Sequence, residues 1–164
     1  MDRSIGPCSL RDGALIRRAR ATANAEIEAP IEKVWQVMLD VQRYGEWNPF
    51  IVKVDADGPV RVGGRFVLHV RWPGGGARSS EQVTRLDGPS AGRASWSYVV
   101  TGLLSTIGAV RATRVQSLES VGAKTRYSTR EDFSGWLTFA LPIKKVQAGF
   151  DAHAAALKKR AESA

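Results

Sequence analysis

The sequence is poor in cysteine and histidine. Cys8 is the only thiol among 164 residues, and a single thiol cannot form an internal disulfide. The sequence therefore excludes a disulfide-stabilised scaffold and favours a reducing compartment. Its two histidines, His69 and His153, form no cluster of ligands with Cys8, so we predict neither a metal site nor a bound cofactor.

Long apolar stretches are also absent. No apolar run approaches the roughly 18 residues that read as a membrane-spanning helix. Residues 1–20 lack the apolar centre of a signal peptide. The sequence thus predicts a cytoplasmic protein with no transmembrane segment.

Acidic residues are scarce in the middle of the chain. Residues 61–130 contain eleven Lys or Arg against three Asp or Glu, which accounts for the whole net charge of +8. Such an excess fits a surface for nucleic acid, anionic lipid or an acidic partner. It also fits the solvated outer face of a sheet whose edges arginine keeps soluble. We favour the second interpretation and do not expect nucleic acid as a partner.

One long helical pattern is present at residues 140–161. Its apolar residues recur at steps of three and four, which places them on one stripe of a helix. Pro142 suits the first turn of such a helix. The stripe contains Ile143, Val146, Phe150, Ala154, Leu157 and Ala161. A stripe of this length predicts an equally long surface for the helix to cover.

Most of the remaining chain has the alternating pattern of strands. Residues 1–13 are predicted to be a flexible leader, and residues 14–164 a single α+β domain. A first strand at 15–28 precedes two short helices at 31–38 and 40–49. Six further strands are predicted at 50–57, 64–72, 79–87, 92–101, 109–119 and 123–133. Together they predict a seven-stranded antiparallel sheet, with the long helix last.

This order of elements resembles the START-like (SRPBCC) superfamily. Its A-P-x-x-x-V-W…D…Y…W-N-P pattern is similar to Ala29-Pro30, Val34-Trp35, Asp40, Tyr44 and Trp47-Asn48-Pro49. The end of the polyketide cyclase/dehydrase and lipid-transport branch is similar to Thr125-Arg126, Glu131, Phe133, Ser134-Gly135 and Ala156-Leu157-Lys158-Lys159-Arg160. The resemblance covers about residues 20 to 161. It implies a helix-grip fold, in which a strongly curved sheet wraps around the C-terminal helix and leaves an apolar cavity between them.

Strand alternation predicts which side chains line that cavity, because residues two apart share a face. The strand at 109–119 is ambiguous, and the register with the family pattern puts Arg114, Gln116 and Leu118 inside. Arg114 and Glu131 then lie on adjacent strands, where they can pair. The predicted ligand-binding residues are Tyr44, Trp47, Phe50, Phe66, Leu68, Trp72, Trp96, Tyr98, Arg114, Gln116, Thr129, Glu131, Phe133, Val146 and Phe150.

Each of these residues also has a plain structural interpretation. Aromatic side chains fill cores more often than they hold ligands. Arg114 and Glu131 equally fit a satisfied internal ion pair near the end of the sheet. Members of the branch often carry histidine at the positions of Arg114 and Thr129, so this chain departs from the pattern there.

Two glycine-containing segments resemble motifs of catalytic or phosphate-binding sites. Residues 88–92 satisfy G-x-S-x-G, and Asp151 and His153 follow in the order of a hydrolase triad. A strand rather than a helix follows residues 88–92, so we predict a hairpin turn there. Residues 74–76 lack the G-K-[S/T] of a phosphate loop and are predicted to be a hairpin tip. His153 is predicted to lie at the edge of the helix stripe, and His69 on the outer face of its strand.

The segment 101–108 is an apolar link between two predicted strands. Its Leu103, Leu104 and Ile107 fit three roles: a cap over the cavity mouth, a dimer contact, or an ordinary buried loop. The sequence does not decide between a monomer and a homodimer.

Two functions follow for the predicted cavity. The first is binding or carriage of a small hydrophobic ligand, either ring-containing or acyl. The second is a polyketide cyclase/dehydratase-like activity in which Glu131 is the base and Arg114 and Tyr98 polarise a carbonyl. A third hypothesis, a protein- or nucleic-acid-binding module that uses the basic outer sheet, is the least favoured.

Overall fold

The computed structural model of the chain describes residues 17–163. The predicted leader, residues 1–13, and Cys8 lie outside this range. The strands are β1 Arg17–Ile27, β2 Ile51–Ala56, β3 Arg65–Trp72, β4 Gly75–Ser90, β5 Arg93–Val100, β6 Arg111–Val121 and β7 Lys124–Gly135. The helices are α1 Ile31–Leu39, α2 Leu103–Thr106 and α3 Ile143–Ser163, with two 3-10 helices at Val41–Glu46 and Thr138–Ala140.

All seven strands form one antiparallel sheet in the order β1-β7-β6-β5-β4-β3-β2. Strands β2 to β7 lie beside their neighbours in sequence, as hairpins and short links require. Strand β1 instead pairs with β7 over its full length, from Arg17 opposite Gly135 to Ile27 opposite Thr125. The sheet is curved and carries a long C-terminal helix, so the predicted helix-grip fold is confirmed.

The two glycine-containing segments are hairpins, as predicted. Gly74, with a φ of +80°, forms the β3–β4 tip. β4 begins earlier than predicted because Gly75 and Gly76 continue the pairing opposite Trp72 and Arg71. The second tip lies at Ala91-Gly92, between β4 and β5, so residues 88–92 form no strand-to-helix elbow.

Helix α3 runs along β1, the edge strand of the sheet. The side-chain oxygen of Gln147 accepts a hydrogen bond from the Thr22 amide at 3.0 Å, and its nitrogen donates to the Thr22 carbonyl at 2.7 Å. The Lys158 ammonium donates to the Glu26 carbonyl at 2.6 Å. The helix therefore satisfies backbone groups that an open edge strand would leave unpaired.

The predicted apolar stripe of α3 is buried from Phe150 onward. Ile143 and Val146, in the first turns, are partly buried. The buried residues are Gly149, Phe150, His153, Ala154, Leu157 and Ala161. The helix begins at Ile143 rather than at 140, because residues 138–140 form a separate 3-10 turn before Pro142.

The Trp-Asn-Pro segment has a structural role at the start of β2. The Asn48 side-chain oxygen accepts hydrogen bonds from the amides of Phe50 and Ile51, both at 3.0 Å. The Tyr44 hydroxyl donates to the Met38 carbonyl at 2.5 Å, which ties the 3-10 helix to α1. These contacts orient the chain so that Phe50 faces α3.

Candidate functional site

The strand register aligns polar side chains across the inner face of the sheet. Tyr98 of β5 lies opposite Arg114 of β6, which lies opposite Glu131 of β7. The next row contains Trp96, Gln116 and Thr129. All of these except the partly buried Glu131 are buried, so the faces predicted for β5, β6 and β7 are confirmed.

Arg114 is the charged centre of this face. Its side chain is 2% exposed, and its Nε donates to the Thr129 hydroxyl at 3.0 Å. Its guanidinium carbon lies 4.1 Å from the centroid of the Phe150 ring, in a cation–π contact. Nη2 has no hydrogen-bond partner among the described residues. A buried guanidinium with a free donor is costly unless something accepts from it.

Of the two interpretations of Arg114 and Glu131, the satisfied internal ion pair is wrong, since no salt bridge joins the two side chains within residues 17–163. The guanidinium instead donates to Thr129 and lies over the Phe150 ring, so a cation–π contact takes the place of the expected contact with the Glu131 carboxylate. Burial raises the pKa of Glu131 to about 7, against the opposing effect of the Arg114 charge. Glu131 therefore exchanges a proton near neutral pH, which a tight ion pair would have prevented.

Glu81 is a second buried acid that the sequence-based site did not include. It is 3% exposed, and the Ser79 hydroxyl donates to its Oε1 at 2.6 Å. Burial raises its pKa to about 8, and the nearby Glu131 adds to the effect. The alternation of residues 79–87 indicates that Glu81 points inward, because Glu81 shares a strand face with the buried Val83.

Two phenols and an amide form a short network beside Arg114. The Tyr127 hydroxyl donates to Gln116 Oε1 at 2.7 Å, and Gln116 Nε2 reaches the Tyr98 hydroxyl at 3.5 Å, a long contact. Burial raises the pKa of both Tyr98 and Tyr127. Both hydroxyls therefore stay protonated, and Tyr98 is available as a hydrogen-bond donor rather than as a base.

His153 lies at the centre of the molecule, so its predicted place at the edge of the helix stripe is wrong. The residue is fully buried, and its Nδ1 lies 2.6 Å from Asn48 Nδ2. Because Asn48 Oδ1 already accepts two backbone amides, its amide nitrogen faces His153 as a donor. Nδ1 is then the acceptor, and Nε2 carries the proton. Nε2 has no partner among residues 17–163.

The environment of His153 keeps its ring neutral. The ring centroids of Tyr44, Trp47 and Tyr127 lie 5.7, 5.9 and 6.1 Å from it. Burial lowers the pKa of His153 well below its usual range, and the Arg114 charge adds to the effect. The histidine serves as a packed, hydrogen-bonding core residue at neutral pH.

Predicted ligand-binding aromatics form a cluster on β3 and β5. The ring centroids of Phe66 and Tyr98 are 5.1 Å apart, those of Trp96 and Tyr98 4.8 Å, and those of Phe66 and Trp96 6.1 Å. Trp96 is 1% exposed, and its indole nitrogen has no partner within the described residues. The cluster thus offers flat apolar surfaces and one free donor.

A groove of 570 Å³ opens between β3 and the first half of α3. Phe50 and Trp72 line it, whereas Arg71, Lys144 and Lys145 place positive charge along it. The groove also includes Pro49, Pro73, Ala148, Gly149 and Ala152. It is an open cleft with an apolar floor, and the rings of Phe50 and Phe150, 6.1 Å apart, lie between it and Arg114.

A close approach holds Phe50 against the helix. A Cβ added at Gly149 would lie 2.2 Å from the Phe50 ring, so a larger residue there forces that ring to move. Gly149 therefore sets the depth of the groove at its inner end.

The structure distributes most of the predicted ligand-binding residues over three groups. Phe66, Trp96 and Tyr98 form the aromatic cluster, and Tyr44 and Trp47 pack around His153. Leu68 and Phe133 are buried core residues, and Val146 is partly buried. The third group runs from the groove to the polar residues of β6 and β7 and contains Phe50, Trp72, Phe150, Arg114, Gln116, Thr129 and Glu131.

Within residues 17–163, no three His, Cys, Asp or Glu side chains come together as metal ligands would. Over the same range, no helix combines the length and apolar character that crossing a bilayer requires.

The sequence matches one protein family, described as polyketide cyclase/dehydrase and lipid transport, over residues 18–162. No curated protein matches the chain. Solved structures show the same fold at low sequence identity.

One such structure is the ZhuI aromatase/cyclase from Streptomyces sp. R1128, at 17% identity and a TM-score of 0.69, covering 89% of this chain and 94% of that one. A START superfamily protein from Mycobacterium smegmatis has 19% identity and a TM-score of 0.65, covering 88% and 97%. Norcoclaurine synthase from Thalictrum flavum, in complex with dopamine and hydroxybenzaldehyde, has 12% identity and a TM-score of 0.66, covering 88% and 87%. At these identities the similarity establishes the fold.

Proposed function

The chain belongs to the polyketide cyclase/dehydrase and lipid-transport family, and from that premise we propose that it binds a small, mainly apolar ligand between the sheet and α3. The ligand carries an acceptor oxygen at one end, a carbonyl or a carboxylate. The observation that carries the proposal is the buried Arg114 guanidinium, whose Nη2 has no partner among residues 17–163. An acceptor oxygen there would remove the cost of that unmade hydrogen bond.

Protonated groups around Arg114 suit the same oxygen. Glu81, with a pKa of about 8, carries its proton at neutral pH and donates rather than repels. Tyr98 lies next to Arg114 in the same row and keeps its hydroxyl proton. Arg114, Tyr98 and Glu81 thus supply buried donors on the same inner face, which favours an acceptor over an apolar end group.

The apolar part of the ligand has two surfaces available. The cluster of Phe66, Trp96 and Tyr98 suits a ring, and the groove floor of Phe50 and Trp72 suits a ring or an acyl chain. We infer that the Phe50 ring swings aside to connect the groove with Arg114. A ring-containing ligand is also what the structurally similar norcoclaurine synthase holds, in dopamine and hydroxybenzaldehyde.

Native mass spectrometry of the purified protein, followed by titration with the fluorescent ring anion anilinonaphthalene sulfonate, tests the proposal. We expect a small molecule to accompany the protein in the mass spectrum. We also expect the probe to bind about tenfold more weakly to Arg114→Met, because that variant loses one charge-assisted hydrogen bond. Arg126→Met, on the exposed face of β7, is the matched control. Equal probe affinity in the two variants, with no co-purifying molecule, would refute the proposal.

One observation favours a second function, an enzyme that moves a proton. Glu131, with a pKa of about 7, lies in the row that contains Arg114 and Tyr98. In this hypothesis Glu131 removes a proton from the carbon beside a carbonyl, and Arg114 and Tyr98 stabilise the enolate oxygen that forms.

Deuterium exchange into the α-position of an aryl ketone, followed by NMR, separates the two functions. Glu131→Gln abolishes protein-catalysed exchange if the protein is an enzyme, whereas it only shifts affinity if the protein is a carrier. Glu119→Gln, on the exposed face of β6, should leave the rate unchanged. Exchange at the uncatalysed rate with the unmodified protein would exclude the enzymatic function for this substrate class.

A further inference from the structure

Exposed apolar side chains gather at the end of the sheet where β5, β7 and the start of α3 meet. Leu103, Leu104 and Ile107 of the β5–β6 link are 74%, 54% and 54% exposed. Trp136 and Phe139 of the β7–α3 link are 47% and 64% exposed. We call these five residues the apolar end. Of the three roles that the sequence leaves open for 101–108, the ordinary buried loop is therefore excluded.

The two links that carry the apolar end are in contact. The Leu137 amide donates to the Ala109 carbonyl at 2.9 Å. Gly135, with a φ of +131°, lies so close that an added Cβ would meet the Ala109 carbonyl oxygen at 2.3 Å. These contacts join the links into one surface rather than two separate loops.

Positive charge surrounds the apolar end. The Arg17 guanidinium lies 5.8 Å from the centroid of the Phe139 ring, and Arg111 Nε is 3.5 Å from the Ser105 carbonyl. Lys145 Nζ lies 3.4 Å from the Pro73 carbonyl, which brings the start of α3 beside the β3–β4 tip. The exposed cations of this end are Arg17, Arg18, Arg71, Arg111, Lys144 and Lys145.

Acidic residues are missing from the segments that build this end. None occurs in residues 101–118, in 134–150 or in 58–80. In the part of the chain that the structure describes, none of the six cations forms a salt bridge. The outer sheet face differs, because Arg85, Arg93 and Arg126 there pair with Asp87 or Glu119.

We propose that the apolar end docks on a membrane surface that contains anionic lipid. Leucine, isoleucine and aromatic side chains enter the boundary between headgroups and acyl chains, and the surrounding cations contact the lipid phosphates. The apolar end lacks acidic residues and has cations around it, so it matches an anionic membrane surface in both apolar character and charge. A second copy of the chain fits poorly, since two ends of the same charge would face each other.

The proposal does not depend on the ligand proposed above. Membrane docking can fail while the Arg114 site binds its ligand, and the reverse also holds. The two experiments use different variants and different readouts, so their failures are distinguishable.

Vesicle flotation with the full chain tests the proposal. We expect binding to vesicles of phosphatidylcholine mixed with phosphatidylglycerol, weakening as salt is raised, and little binding to phosphatidylcholine alone. Leu103→Ser should weaken binding about tenfold, and Arg111→Gln about fivefold. Both residues are exposed, so near-UV circular dichroism should show that both variants remain folded.

Matched controls come from other surfaces. Val62→Ser removes an apolar side chain that is 61% exposed in the β2–β3 link, and Arg93→Gln removes a cation from the outer sheet face. Both should bind anionic vesicles like the unmodified protein. Equal losses in the controls and in the apolar-end variants would overturn the proposal, as would no vesicle binding at all.

Two other outcomes also overturn it. Dimerisation in sedimentation velocity that Leu103→Ser abolishes would assign the apolar end to a second copy of the chain. Retention on heparin that depends on Leu103 and Arg111, without vesicle binding, would assign it to a polyanion.

Discussion

The interior contains two halves that share the sheet and α3 but differ in chemistry. The apolar half lies under the C-terminal part of the helix and consists of Ile27, Met38, Ala154, Leu157 and Ala161, each at most 2% exposed. The polar half lies under its N-terminal part and consists of Glu81, Tyr98, Arg114, Gln116 and Thr129. Burial is nearly equal in the two halves, yet it stabilises the fold in the first and costs free energy in the second. Depth of burial alone therefore does not distinguish core from site.

The largest expected effect belongs to the apolar half. Leu157→Ala leaves a cavity at a fully buried position and should lower the free energy of unfolding by about 2 to 5 kcal/mol. Urea titration measures the loss. Affinity for anilinonaphthalene sulfonate, measured where the variant is folded, should not change. Val146→Ala, at a partly buried position on the same helix, should cost less, and an equal cost would contradict the division into halves.

The polar half should make the free energy of unfolding depend on pH. Glu81 and Glu131 have pKa values of about 8 and about 7, above the 4.5 of a solvated glutamate, so the folded state holds their protons more tightly than the unfolded state. Their contribution is fully present below about pH 4.5 and is lost as pH rises to 7 and then 8. One pKa unit corresponds to about 1.4 kcal/mol, so the decline of the unfolding free energy across this window should reach several kcal/mol.

Urea titrations at a series of pH values test this decline. Glu81→Gln removes one of the two titrating groups and should flatten the profile, most clearly between pH 7 and 8. Glu119→Gln, on the exposed outer face, should leave the profile unchanged. A stability that rises over the same window would show that both carboxylates are ionised and compensated in the folded protein.

Gly149 lies at the boundary between the halves. Gly149→Ala places a Cβ against the Phe50 ring and should cost about 1 to 3 kcal/mol through overpacking. Phe50→Leu in the same chain should recover part of that loss, because it removes the ring atoms that clash. A double-mutant cycle of unfolding free energies measures the coupling, and additive effects would show that the two residues do not meet.

The sequence predicted the fold and the inward faces far better than the site. Alternation placed Trp96, Tyr98 and Thr129 on the inner face, because the period of a strand is a local property. Alternation left the strand of Arg114 ambiguous, and only the resemblance to the family pattern placed Arg114 on the inner face, where it lies opposite Glu131. Neither indicated the direction of the guanidinium. That direction depends on Phe150, which approaches from another element.

The buried histidine and the second acid were missed for different reasons. His153 is held by Asn48, 105 residues earlier in the chain, so no local pattern indicates their contact. Glu81 shares a strand face with the buried Val83, so alternation predicts that it points inward, but charged side chains are seldom buried. The candidate site lies where that preference fails.

The smallest expected effect tests whether the two halves of α3 are held independently. Gln147 binds both backbone groups of Thr22 beside the polar half, whereas Glu162 accepts from the Glu28 amide at 2.8 Å beside the apolar half. Gln147→Ala should cost about 1 kcal/mol, the low end of the net value of two hydrogen bonds. Amide hydrogen exchange should quicken at Thr22 and stay unchanged at Glu28, because the buried side chains near Leu157 hold that end of the helix in place. Faster exchange at both amides would mean that α3 opens as one unit. The polar half would then lack the local freedom that the proposed entry of a ligand past Phe50 requires.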